Sequence, residues 1–171
     1  MRVVLQTPAR LVWPGHSCRA VIGSGGLIAA AGKREGDGTT PIGTYTLRRV
    51  LFRADRLKAP QTDLPCRALE PHDGWCDEPK DAAYNRPVVR PYPASNEQLT
   101  REDLLYDLLV VLGHNDQPPV PGLGSAVFLH VARANWAPTR GCVAISELDL
   151  RALLRGATPG SQLEILPEPA G

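Results

Sequence analysis

Turn-forming residues constrain this chain most. Seventeen prolines and sixteen glycines are spread along 171 residues, about one position in five. A proline inside a helix removes a hydrogen bond and clashes with the preceding turn, and a mid-helix glycine costs about 1 kcal/mol relative to alanine. Long-helix bundles are therefore excluded, whereas short strands joined by many turns tolerate such a composition. The expected fold class is mainly β. No internal repeat or long linker divides the chain, so residues 1–171 are read as a single domain, long enough to bury a core.

Charge removes whole classes of function. The 19 basic and 18 acidic side chains are interspersed and leave a net charge of +1. A nucleic-acid partner needs a basic stripe that neutralises many phosphates, and none is present. No run approaches the roughly 18 apolar residues of a membrane span. The opening Met1-Arg2-Val3-Val4-Leu5-Gln6-Thr7-Pro8 is too brief and too soon broken for the core of a signal peptide, so no signal peptide is visible.

Strands are expected at Ala9–Trp13, Arg19–Ile22, Leu27–Ala31, Thr44–Val50, Leu109–Leu112, Ala126–Val131 and Gln162–Leu166. Each is short, rich in β-branched or aliphatic residues, and bounded by turn residues. The glycines at 23, 25 and 26 lack the spacing of a phosphate loop and are read as a turn. Two short helices are expected. One runs from a Thr100 cap to Leu108. The other follows a Ser146 cap, with Leu148, Leu150, Leu153 and Leu154 as its apolar face and Gly156 as its stop. Residues 53–100 hold most of the polar and proline-rich sequence, and a segment of that length is expected to be an ordered lid.

Four cysteines, at 18, 66, 76 and 142, show no Cys-x-x-Cys spacing, which weakens a zinc or thioredoxin-like reading. Cys18 is expected in the core. An oxidising compartment would permit a Cys66–Cys76 disulfide.

Two residues carry the chemistry. His130 ends the best strand of the chain, and Cys142 opens a second apolar run, Cys142-Val143-Ala144-Ile145, after Thr139-Arg140-Gly141. Were these runs neighbouring strands, thiol and imidazole would meet at their shared end. The thiolate is the attacking form, and a paired imidazole or a nearby cation lowers a thiol's pKa from about 8.5. Gly141, with no side chain, would let backbone N–H groups approach a reacting carbonyl oxygen. Arg140 would favour thiolate or bind a substrate carboxylate. The same histidine could equally be a satisfied core residue.

Taken together, Phe128-Leu129-His130 and Thr139-Arg140-Gly141-Cys142-Val143 resemble the signature of the L,D-transpeptidase (YkuD-type) catalytic domain. The block from Gly32 to Tyr45, with Thr40-Pro41-Ile42-Gly43 at its centre, is similar to that family's Thr-Pro-x-Gly segment. The resemblance covers roughly residues 20–166 and is to a compact, divergent branch. Relatives commonly have a second histidine at the position of Arg140 and an Asn or Arg at that of Ala144, and a longer gap after the base histidine. These departures bear on substrate choice.

The resemblance implies an L,D-transpeptidase-type β-sandwich or barrel with one or two short helices and a long lid loop. It implies Cys142 as nucleophile and His130 as base, with the second ring nitrogen donating to a backbone carbonyl. Gly141, Arg140 and Thr139 would frame the oxyanion and substrate. Trp75, Tyr84 and Asn85 are the lid residues expected to approach the thiol. The implied reaction is acyl transfer between peptidoglycan stem peptides through a thioester, making 3–3 or 1–3 links. No cofactor or metal is implied, carbapenem-type β-lactams would be inhibitors, and the implied location is periplasmic or cell-wall associated. Hydrolysis on the same scaffold and an inactive wall-binding module are the alternative readings.

Overall fold

The computed structural model describes residues 1–6 and 10–167, so the Ala9 end of the first expected strand lies outside the described residues. In chain order the elements are β1 (Arg2–Gln6), β2 (Arg10–Trp13), β3 (His16–Arg19), β4 (Leu27–Ala29), β5 (Thr40–Phe52), β6 (Cys66–Ala68), β7 (Asp73–Cys76), β8 (Pro87–Val89), β9 (Asn96–Gln98), β10 (Leu108–Leu112), β11 (Phe128–Val131), β12 (Val143–Ile145), α1 (Glu147–Arg155) and β13 (Gln162–Ile165). The mainly-β expectation holds, and α1 is the one α-helix among the described residues.

The large sheet runs β12-β11-β10-β5-β13-β1-β2-β3, with β4 and β6 added to the long strand β5. Just past β3, Val21 bridges Ala144 of β12 and Gly23 bridges Thr139. The two edges of the sheet thereby meet, and it becomes a nearly closed barrel. Closure removes most of the exposed edge that would otherwise invite pairing with other chains. The second expected strand, Arg19–Ile22, is displaced for this reason. The chain pairs with β2 over His16–Arg19 and then crosses to β12.

β10 is buried along its whole length, because both faces of the sheet are covered. Leu108, Val110 and Leu112 join the main core with Leu129, Val143 and the buried leucines of α1. Leu109 and Val111 face a second core with Phe128, Trp75, Tyr106 and Cys142. That second core seats the three-stranded sheet β8-β7-β9, formed by the long 53–100 segment, on the barrel. Trp75 and Tyr106 each meet the Phe128 ring edge-on, at 5.2 and 5.7 Å. Phe128 has no exposed surface, and burying such a side chain contributes about 1.5–3 kcal/mol.

Local expectations fail in three places. Residues 100–107 form bends and turns rather than a helix, and Leu108 opens β10. Arg53 takes the carbonyl of Arg101 at 2.8 Å, Arg56 takes those of Glu102 and Asp103, and the helical ladder has nothing left to close on. In α1 the Ser146 hydroxyl accepts from the Asp149 N–H, and Leu150, Leu153 and Leu154 are buried as an i, i+3, i+4 set. Leu148 falls off that face and is 77% exposed. Cys66 and Cys76 are both free thiols, because one is exposed on β6 and the other buried on β7. Cys18 is buried in the main core as expected.

Candidate active site

β11 and β12 lie parallel, with Leu129 opposite Val143 and His130 opposite Ala144. Side chains alternate along a strand, so Leu129 and Val143 point into the main core while Phe128, His130, Cys142 and Ala144 share the other face. Cys142 and His130 line one cavity of about 770 Å³. Both are nearly sealed, at 8% and 4% exposure.

The Cys142 thiol donates to the carbonyl of Ala126 at 3.2 Å, and its sulfur accepts the Phe128 N–H at 3.3 Å. His130 Nδ1 lies 2.8 Å from the Val131 carbonyl. A carbonyl only accepts, so Nδ1 carries the proton and Nε2 is left as the basic nitrogen. The ring is held from one side by Tyr106, edge-on at 5.3 Å.

Burial sets the resting protonation. It pushes the Cys142 thiol up to about 12, and Glu97 across the cavity adds to the rise. It pushes His130 down to about 4. The expected low-pKa thiol is not what this environment makes. Desolvation of the anion outweighs the Phe128 N–H and the Lys33 ammonium, so the free protein holds a neutral thiol and a neutral imidazole in the same cavity.

The depressed histidine has a consequence for stability. Unfolded, the ring takes a proton near 6.5; folded, it resists until about 4. Between those values the unfolded chain binds more protons, so stability falls as pH drops through that window and levels off below it. The full effect is about 3 kcal/mol. Urea unfolding at pH 7.5 and 4.5 should show a smaller acid loss in His130→Gln than in the wild type. Equal losses would mean that this ring does not govern the window.

The loop before Cys142 is fastened from several sides. The Thr139 hydroxyl donates to the Cys142 carbonyl at 2.7 Å and accepts the Gly141 N–H at 3.1 Å. Thr40, from the Thr-Pro block, donates to the Gly141 carbonyl at 3.0 Å. Gly141 has φ +132°, and a Cβ there would sit 2.8 Å from the Thr39 carbonyl oxygen, so glycine is required. Its own N–H donates to the Thr139 hydroxyl and so is not among the backbone groups left open to a reacting oxygen.

Arg140 lines the cavity and is exposed. It enters no ion pair among the described residues, and Glu147, a potential partner, is held by Arg151 at 2.8 Å.

The long segment does form one wall of the cavity, through Asp77, Arg90, Asn96 and Glu97, with Arg101 just past its end. The three lid residues expected there lie behind it. Trp75 is in the second core. Tyr84 donates to Glu35 at 2.5 Å. Asn85 accepts from Trp75 Nε1 at 2.9 Å and from the Ala126 N–H at 3.1 Å, and it donates to the carbonyls of His114 and Asn115. It therefore fixes Ala126, whose own carbonyl holds the thiol.

Sequence reasoning missed Glu97, Arg101, Tyr106 and Lys33, which read as ordinary surface residues. The one available signal was the i, i+4 spacing of Lys33 and Asp37, which form an ion pair with the lysine side buried and the aspartate open to solvent.

A buried thiol and imidazole on one face of a parallel strand pair, under a charged cavity, fit a class of cysteine-dependent acyltransferases. Residues 3–165 match the family model of the YkuD domain, the L,D-transpeptidase catalytic domain, which acts on peptidoglycan peptides. The chain belongs to that family. No curated protein and no solved structure matches it. No helix among the described residues is long and apolar enough to cross a membrane.

Proposed function

We propose that the chain is a peptidoglycan L,D-transpeptidase that joins stem peptides through a thioester on Cys142. The observation that carries this reading is the shared face of His130 and Cys142, with Nε2 left free by the bond from Nδ1 to Val131. The thiol gives up its proton to Nε2 as sulfur attacks a stem carbonyl, so that no free thiolate need form beforehand. The Cys142 N–H has no hydrogen-bond partner among the described residues and is the donor suited to the developing oxyanion. His130 then protonates the departing amine. An amine of a second stem attacks the thioester, returning its proton through the same ring and freeing the thiol.

Arg140 and Ala144 stand where relatives commonly carry other residues, and favour an unusual 1–3 link over the 3–3 link. Muropeptide analysis of cell wall treated with the enzyme tests the whole reading. New dimers support transfer, whereas trimmed monomers alone would assign hydrolysis and an unchanged wall would assign a binding module. A carbapenem is expected to add its mass to wild-type protein and not to Cys142→Ala. Action of this kind places the protein in the periplasm or at the cell wall.

Arg140, without an ion-pair partner among the described residues, is suited to clamp a free stem carboxylate with both arms of its guanidinium. Arg140→Lys keeps the charge but loses the fork, and a loss of about tenfold in kcat/KM on peptide donors is expected. Lysine working as well as arginine would remove the clamp.

A further inference from the structure

Lys33 has no place in the proton transfers above, yet its side chain is only 4% exposed and lines the same cavity as the nucleophile. Its position is built rather than incidental. The aliphatic stem passes beside two glycines in the left-handed region, Gly124 at φ +93° and Gly141 at φ +132°. A Cβ on Gly124 would come within 3.0 Å of the lysine's Cγ and Cε. The Cβ that Gly141 lacks would lie 3.7 Å from Nζ, which sets the ammonium against the residue preceding the nucleophile. Asp37 pairs with Nζ, and the Arg34 carbonyl accepts from it at 3.0 Å. Asp37 is itself pinned by the N–H groups of Arg34 and Thr39.

We propose that Lys33 is an electrostatic positioning residue of the site, a fixed ammonium behind Gly141 that steadies negative charge on the Cys142 sulfur as attack proceeds. The inference rests on Cys142 being the nucleophile and not on which bond the enzyme makes. A desolvated cation in the same cavity acts on the sulfur far more strongly than one in water. Other ionisable groups face the same thiol. Glu97 of β9 opposes the charge of Lys33, the phenol of Tyr106 precedes β10, His130 comes from β11, and Arg140 lies on the nucleophile's own loop. Of these cations, Lys33 is the one sealed from solvent, so its field is the least screened.

Two substitutions separate this role from a structural one, because they should move the thiol in opposite directions. Asp37→Asn leaves Lys33 uncompensated. The pair Lys33→Met with Asp37→Asn removes both charges and leaves the net charge unaltered. The readout is the rate of iodoacetamide alkylation at residue 142 from pH 7 to 10, followed by peptide mass spectrometry. At a given pH, Asp37→Asn is expected to react roughly tenfold faster than the wild type and the double variant roughly tenfold slower. Misfolding cannot imitate the slower rate, since an unfolded thiol reacts faster. Cys18, buried in the main core, must stay unlabelled for the faster rate to count. Rates within twofold of one another in all three proteins, or a faster double variant, would overturn the proposal. Failure of the transpeptidase reading would appear separately, in the muropeptide assay, and would leave these rates untouched.

Discussion

Cys142→Ala is expected to lower transfer by more than roughly a hundredfold while the protein stays folded, because loss of a nucleophile commonly removes many powers of ten. The fold should survive because little depends on the sulfur. It gives up one bond to the Ala126 carbonyl and one from the Phe128 N–H, both weak for sulfur, and alanine suits the same backbone. The change in stability should be about 1 kcal/mol. Product formation and a thermal melt on the same preparation check the two halves together. Retention of more than about a hundredth of the rate would show that another group attacks the carbonyl.

The largest loss of stability is expected from Asn85→Ala. Asn85 is 4% exposed and makes four hydrogen bonds, linking Trp75 on the small sheet to the 114–115 turn and to Ala126. Truncation strands two donors and two carbonyls, and each buried orphan costs about 1–3 kcal/mol where water cannot enter. Alanine also tolerates the backbone less well, since Asn85 has φ +54°. A net cost of about 3–5 kcal/mol is expected from urea unfolding. Activity should fall as well, because Ala126, at φ +51°, presents the carbonyl that holds the thiol. A cost under 1 kcal/mol would mean that water replaces the side chain.

The shared face of His130 and Cys142 was legible because each sits at the end of an apolar run, and the two runs pair in parallel. The bounds of β10 and the cap and stop of α1 were legible for similar local reasons. What was not legible depends on partners far along the chain. Nothing in Arg2–Gln6 announces that it lies parallel to Gln162–Ile165, yet that pairing holds the barrel together. The 100–108 helix failed because arginines at 53 and 56 compete for its carbonyls. Asn85 was singled out for an amide suited to a substrate. Sequence cannot tell whether a loop amide faces the cavity or the layer beneath it, and here it faces inward. Glu97 and Lys33 were passed over because burial, which turns a common charge into a field at the thiol, is a property of the closed barrel.

The straps that close the loop before Cys142 reach across the chain: Thr40 to Gly141, Ser24 to Thr139, Val21 to Ala144. Until these distant segments dock, residue 142 is an ordinary cysteine titrating near 8.5. Docking drives the thiol up to about 12 and removes it from solvent. Susceptibility to sulfenic acid follows thiolate character and access, so the folded protein shields Cys142 from peroxide better than a nascent or partly opened chain does. Oxidative damage should therefore accumulate during assembly and unfolding rather than in the resting native state, and a tightly strapped loop doubles as an antioxidant.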